Sequence, residues 1–251
     1  MIIIKNPEEV ARMRVSGRMA AQVRDTVAQG IAPGVTTEEL DDLARKCISG
    51  LGGKSAFFGY RGYPGHICVS VNEEVVHGIP SGRRIEMGDL VSLDVGVEFD
   101  GFIGDTATTV MVGVSDPDLI RLVSVGKKAL ETAVEKAVCG ARLSDVSHAI
   151  EQVAVRAGYT VVREFVGHGI GRSMHEDPQI PNFGSPGRGP VLKAGMTLAI
   201  EPMINMGEAD VEVLEDGWTV VTRDRKPSVH FEHTIAIGED GPEILTCLER
   251  R

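Results

Sequence analysis

The chain has 251 residues, 42% hydrophobic and 25% charged, proportions that suit a globular core rather than a disordered tract. Its formal charge of −10 argues against a nucleic-acid binder, because phosphate contact needs clustered Lys and Arg. The cysteines Cys47, Cys68, Cys139 and Cys247 form no C-x-x-C pair, so reduced thiols are expected rather than a zinc ribbon or a disulfide framework. The run Ile2-Ile3-Ile4 is too short for a signal-peptide core or a membrane span, which points to a cytoplasmic protein.

Asn6-Pro7-Glu8-Glu9 has the cap, first-turn proline and acidic first turn of a helix start, and the helix should run to Gly30. Thr36 and Glu39 form a capping box for a second helix that ends at Gly50 to Gly53. Val91, Leu93, Val95 and Val97 alternate with Ser92, Asp94 and Gly96, the pattern of a strand with Asp94 opposite its apolar side. Asp94 and Asp105 flank the turn-like Glu98-Phe99-Asp100-Gly101, so a hairpin is expected. A turn centred between Phe99 and Asp100 sets the two acids directly opposite, and a slip of two residues still leaves a diagonal pair.

Asp116-Pro117 opens a third helix predicted to reach Gly140, and Ser144 caps a fourth that ends at Gly158. A long and a short helix thus occur twice, about 110 residues apart. Met87 to Asp94 aligns without gaps on Ala194 to Glu201, an offset of 107 that matches Gly88 with Gly195 and Asp94 with Glu201. Val229, Phe231, Ile235 and Ile237 lie opposite Glu232, Thr234 and Ala236, which predicts another acid-bearing strand interrupted at His233. The expected architecture is two similar α+β halves around a shared antiparallel sheet, helices outside and acids inside. A single catalytic domain is expected over 1–251, with an internal pseudo-repeat over roughly 7–112 and 117–239.

Two carboxylates about 4 Å apart repel by about 4 kcal/mol at an effective dielectric near 20, and Glu201 and Glu232 add to that. Four such groups match the charge of two divalent cations, with His168 as a neutral further ligand. Competing motifs fail: Gly167-x-Gly169-x-Gly171 lacks the following Gly-Lys-Ser/Thr of a phosphate loop, and His175-Glu176 lacks the second histidine of H-E-x-x-H.

An ordered set of motifs resembles the methionine aminopeptidases of the first type, within the family that shares the pita-bread fold. It comprises Gly59-Tyr60-Arg61-Gly62-Tyr63-Pro64, Val71-Asn72-Glu73, His77-Gly78-Ile79-Pro80, Leu93-Asp94-Val95-Gly96 and Gly101-Phe102-Ile103-Gly104-Asp105-Thr106. It continues through Gly167-His168-Gly169-Ile170-Gly171, His175-Glu176-Asp177-Pro178, Ile200-Glu201-Pro202 and Phe231-Glu232-His233-Thr234. The resemblance spans almost the whole chain. It implies a pita-bread fold of two pseudo-symmetric halves around a curved antiparallel sheet.

By the same resemblance, Asp94 binds one metal, His168 and Glu201 complete the shell of the other, and Asp105 and Glu232 bridge both. The metals are two divalent ions, Co, Mn, Fe or Zn. Glu201 is the expected proton shuttle, His175 the partner of the developing oxyanion and His77 a donor to the substrate backbone. Tyr60, Tyr63, Cys68, Met174 and Trp218 fall where the family lines its methionine slot. Met174 stands at a place usually aromatic, and Phe57 replaces a smaller residue. Asn72 and Ser228 match positions that hold a monovalent cation in relatives. Cys68 and the short His168–Glu201 interval favour the first type, in a minimal, bacterial-style form.

The expected partners are the N-termini of nascent polypeptides, at the ribosome, with no DNA and no membrane, and the protein is expected as a monomer. The alternatives are an Xaa-Pro peptidase, whose usual extra amino-terminal domain is absent here, and a metal-free binding module on the same fold.

Overall fold

The computed structural model describes residues 1–248; the last three residues of the expected domain, 249–251, lie outside them. Helix α1 (Pro7–Gln29) starts as predicted, with Asn6 and Glu9 capping each other reciprocally, and α2 (Thr37–Gly50) repeats the device with Thr36 and Glu39. Next come β1 (Lys54–Ser55), a 3-10 turn (Tyr60–Gly62), β2 (Cys68–Val71), β3 (Glu74–Val76), β4 (Leu90–Phe99) and β5 (Phe102–Met111). Val91, Leu93, Val95 and Val97 of β4 are buried against Met19, Val23 and Val27 of α1 and Leu40 and Ile48 of α2. At Gly104 the contact is backbone to backbone, since a Cβ there would lie 2.5 Å from Gly17 Cα. Helix and hairpin are thereby held in fixed register.

The hairpin forms, with its turn one residue later than expected. Phe99 pairs with Phe102, and Asp100 (φ 51) and Gly101 (φ 73) make the two-residue loop. Both loop positions need a left-handed backbone, which Asp-Gly adopts far more readily than Phe-Asp. Asp94 therefore pairs with Ala107, and Asp105 with Gly96, leaving the two acids diagonal on one face.

The second half follows the same order of helices. Helix α3 (Pro117–Lys136) stops short of the predicted Gly140, because Ala137 leaves helical geometry at ψ 55. Helix α4 (Leu143–Arg156) is capped at Arg142 by the Asp145 side chain, not by Ser144, whose hydroxyl is engaged with the backbone of Arg188. The strands are β6 (Thr160–Val161), β7 (Gly167–Gly169), β8 (Glu176–Ile180), β9 (Thr197–Ile200), β10 (Met203–Asn205), β11 (Val211–Val213), β12 (Val220–Thr222), β13 (Ser228–His230), β14 (His233–Ile237) and β15 (Pro242–Ile244). The single strand expected over 229–237 is two strands, because the chain changes ladders at Phe231-Glu232: β13 pairs with β10, and β14 with β9. Leu122, Val123, Leu130 and Ala133 of α3 with Val146 and Ile150 of α4 cover β9, β13 and β14 in the larger core.

The shared antiparallel surface consists of four ladders: β1-β4-β2 with β5 on β4, β13-β10-β6, β11-β12-β3, and β15-β14-β9-β7-β8. Strand β3 of the first half pairs with β12 of the second. Elsewhere threonine hydroxyls also tie the seam. Thr234 Oγ1 accepts from Asp105 N at 3.0 Å and donates to Asp105 O at 2.8 Å; Thr106 Oγ1 donates to Glu232 O at 2.9 Å, and Thr109 Oγ1 accepts from His230 N at 3.0 Å. Glu232 and Ala107 exchange backbone hydrogen bonds across it.

Candidate active site

The acids converge from both halves. Asp94 and Asp105 project from the same face of the β4–β5 hairpin. Glu201 follows the end of β9 and Glu232 precedes the start of β14. Ile200 pairs with His233 there, so the same register continued by one residue sets the glutamates opposite each other. His168 lies on β7 beside Ala199 of β9. Its Nδ1 donates to Gly169 O at 2.9 Å, which turns Nε2 toward the acids, 3.4 Å from Glu201 Oε1 and 4.0 Å from Asp105 Oδ2. Donor atoms of Asp105, His168 and Glu232 fall within 4.8 Å of one another.

Most of these groups are out of water and short of partners. Asp105, His168 and Glu232 are buried, and Asp94 Oδ1, Asp105 Oδ1 and Glu232 Oε1 have no hydrogen-bond partner. Among the described residues, none of the four acids forms a salt bridge with Lys or Arg. Burial pushes the Asp94 carboxyl up to about 7, and burial followed by repulsion from neighbouring carboxylates carries Asp105, Glu201 and Glu232 well above the ordinary carboxylate range. Burial lowers His168 to about 4, so it is a neutral imidazole near pH 7. Unpaired carboxylate oxygens beside a neutral imidazole are the donor set of a divalent transition-metal site, and such ions would supply the missing counter-charge.

A cavity of about 270 Å³ opens over this cluster. All five proposed ligands line it, as do His77, His175, Tyr60, Tyr63, Cys68, Met174 and Trp218. His175 stands at the rim, its Nδ1 2.8 Å from the Tyr60 hydroxyl and its ring 4.4 Å from that of His168. His77 is held edge-on against Phe165 (5.5 Å) and Trp218 (6.2 Å), and burial lowers it to about 4. Burial followed by the nearby Arg61 charge lowers His175. Tyr63 donates to Gly78 O at 2.9 Å and meets the Trp218 edge at 5.0 Å. Cys68 pairs with Asp94 across β2 and β4, and burial raises its thiol. Phe57 and Met174, the two departures noted in the sequence, meet over Gly96: a Cβ there would sit 2.5 Å from Phe57 Cε1 and 3.0 Å from Met174 Cε.

Sequence reasoning gave no role to Arg61, Val76, Phe165 and Val166, which also line the cavity. Arg61 sits inside a quoted motif, and Phe165-Val166 directly precede Gly167-His168. It also missed His230, whose Nε2 lies 3.9 Å from Glu201 Oε2 without a hydrogen-bond partner. The period-two alternation with Glu232 was the available signal. Asn72 and Ser228 are adjacent, Ser228 N donating to Asn72 O at 2.9 Å, and they do not line this cavity.

The sequence profile of metallopeptidase family M24 matches residues 11–239. The chain belongs to metallopeptidase family M24. Membership implies divalent metal use, in agreement with the donor cluster. Within M24 the chain is 49% identical over 246 residues to methionine aminopeptidase 1 of Bacillus subtilis, covering 98% of this chain and 99% of that protein. It is 47% identical over 249 residues to methionine aminopeptidase of Clostridium perfringens, covering 99% and 100%. The structure superposes on methionine aminopeptidase from Thermotoga maritima with a TM-score of 0.97 at 48% identity, covering 98% and 99%. Prolidase from Pyrococcus furiosus also matches, with a TM-score of 0.81 at 25% identity, but only 66% of that chain is covered. The fold is thus the pita-bread fold of the M24 peptidases. Among the described residues no helix is long and apolar enough to cross a membrane.

Proposed function

We propose that this M24 peptidase removes the N-terminal methionine from nascent polypeptides by hydrolysing the first peptide bond. The observation that carries the reading is a cluster of four acids, three of them with an unpartnered carboxylate oxygen, and one neutral histidine at the floor of a cavity whose wall is aromatic and sulfur-bearing. The full-length match to methionine aminopeptidases, against partial coverage of prolidase, favours methionine over an Xaa-Pro substrate. The intact donor set weighs against a metal-free binding module.

Asp94 would hold one cation, His168 and Glu201 the other, with Asp105 and Glu232 between them. Bound there, two divalent ions would acidify water and polarise the substrate carbonyl. Glu201 takes the proton of the attacking water on a carboxylate oxygen and returns it to the departing amine. His175 accepts the Tyr60 hydroxyl at Nδ1, which leaves Nε2–H to donate to the carbonyl oxygen as that oxygen gains charge. Kept neutral by burial, His77 donates to the substrate backbone near the scissile amide. Tyr60, Tyr63, Cys68, Met174 and Trp218 enclose the thioether side chain, whose sulfur gains from aromatic contact. The substrate amino group is placed beside Asp94, which confines cleavage to the first residue.

The catalytic unit is one domain of related halves, 7–112 and 117–239, supported by the matching helix order and by acids supplied from each. The protein works in the cytoplasm as a monomer that meets its substrates at the ribosome. The metals are Co, Mn, Fe or Zn, and Asn72 with Ser228 would offer a carbonyl and a hydroxyl to a monovalent cation. The test offers Met-Ala-Ser and Ala-Pro-Ala to metal-stripped enzyme, then restores each metal in turn. Metal-dependent release of methionine from the first peptide alone is expected, and cleavage of the second alone would overturn the assignment.

A further inference from the structure

Lys5 and Glu176 form an ion pair outside the acid cluster. Their side chains are only 3% and 5% exposed, although 171 residues separate them in sequence. Glu176 opens β8 directly after His175. Its Oε1 accepts the backbone N–H groups of Arg172 (3.0 Å) and Ser173 (3.3 Å), while its Oε2 accepts Lys5 Nζ. Lys5 is fixed in turn: its N–H donates to Gly195 O at 2.8 Å, and Nζ also reaches Ile3 O at 3.4 Å. The packing leaves no slack, since a Cβ on Gly171 would lie 2.6 Å from both Glu176 Oε1 and Lys5 Cε.

A buried ion pair is weak evidence for stability, because desolvation offsets most of its attraction and an apolar pair of equal volume would serve as well. What three donors on one carboxylate supply is geometry. Residues 171–175 curl around Glu176, and that curl carries Met174 into the cavity wall and His175 to its rim. The N-terminal segment thus braces the loop from behind.

We propose that Lys5 and Glu176 are positioning residues: their ion pair clamps the 171–175 loop so that His175 meets the scissile carbonyl and Met174 closes the side-chain slot. The proposal rests on the function argued above. Misplacing a reacting group by about 1 Å can cost about 100-fold in rate, so loosening the clamp acts mainly on kcat.

The test compares Lys5→Met, Glu176→Gln and the charge-free double variant K5M/E176Q, which preserves volume and keeps the proposal open to refutation where Lys5→Met alone fails to fold. Each is assayed metal-loaded on Met-Ala-Ser, well below its unfolding temperature, and each is examined metal-free through the imidazole resonances of His175. Expected are a loss of about tenfold or more in kcat, a KM change below about threefold, and displaced His175 resonances. In a His175→Ala background, removing the clamp should cost no more than about twofold in kcat, because no imidazole is left to misplace and Met174, in the side-chain slot, acts on KM. Undisturbed resonances, or losses that multiply fully with His175→Ala, would overturn the clamp. If the parent enzyme releases no methionine, the functional assignment falls instead, and the resonances still decide the clamp.

Discussion

Replacing Asp94 with Asn should change stability in opposite directions with and without metal. Without metal, the Asp94 carboxyl titrates near 7 in the folded protein against an ordinary value of 3.8. Its folded pKa is raised, so ionising it opposes folding: the penalty is absent below about pH 4, grows as pH rises, and is complete above about 7. At 1.36 kcal/mol per pH unit this is about 4 kcal/mol at pH 8. That figure is an upper limit, because one edge of Asp94 reaches cavity water.

The metal-free Asn variant should therefore unfold later than the metal-free parent at pH 8, and the difference should close by pH 4. At roughly 2–4 °C per kcal/mol for a chain of this size, a rise in Tm of roughly 5–15 °C is expected. The buried histidines carry the reverse dependence. His168 and His77, lowered to about 4, stabilise above about 6.5 and lose that contribution as pH falls, equally in both proteins. With divalent metal at about 10,000 times its Kd for the parent the order inverts, because such binding adds about 5.5 kcal/mol to the parent, more than the penalty it has to offset. Calorimetry from pH 4 to 8, with chelator and with Mn or Co, measures both limbs. A metal-free Asn variant destabilised equally at pH 5 and pH 8 would refute the account of Asp94 as an uncompensated charge.

His175→Ala should lower kcat about 100-fold or more with little change in KM, as loss of an oxyanion donor does; a purely KM effect in steady-state kinetics would remove His175 from that role. Gly96→Ala pushes a methyl against Phe57 and Met174. It should cost about 1–3 kcal/mol of stability and narrow the slot, so that peptides beginning with smaller residues gain on Met-Ala-Ser in competition assays. Thr234→Val leaves Asp105 N and O unpartnered at the seam, at about 1–3 kcal/mol per group, and should weaken divalent-metal binding in titration calorimetry as Asp105 shifts.

The strand-borne acids could be read from the sequence because alternation fixes which face a β residue takes: Asp94 opposes Val95 whatever the strand later pairs with. The pairing itself depends on turn chemistry, and the preference of Asp100-Gly101 for a left-handed loop moved the Asp94–Asp105 relation from opposite to diagonal. Breaks that serve tertiary structure were hidden. Nothing local to Phe231-Glu232 announces that β13 and β14 belong to different ladders, since that break is dictated by Met203 and Ile200 on another segment. The Lys5–Glu176 contact was equally invisible: Glu176 lies in the motif His175-Glu176-Asp177-Pro178, but Lys5 carries no periodic or motif signal and the pairing spans most of the chain. Cap chemistry succeeded where the cap is a side chain on its own helix, as at Asn6 and Thr36, and failed at Ser144, whose hydroxyl had a competing partner in Arg188.

The threonine seam makes alignment of the two halves measurable. Two of the five donors ride on the β4–β5 hairpin and three on the other half, and the join beside them relies on single hydroxyls as well as a backbone exchange. Sliding along that join would separate Asp94 and Asp105 from His168, Glu201 and Glu232, and it is opposed by the packing of Met13, Phe102 and Ile103 against Ile170, Ala199 and Leu245. Affinity for a divalent ion then works as a vernier on the join: substitutions far from the cavity that let the halves drift will register as lost metal.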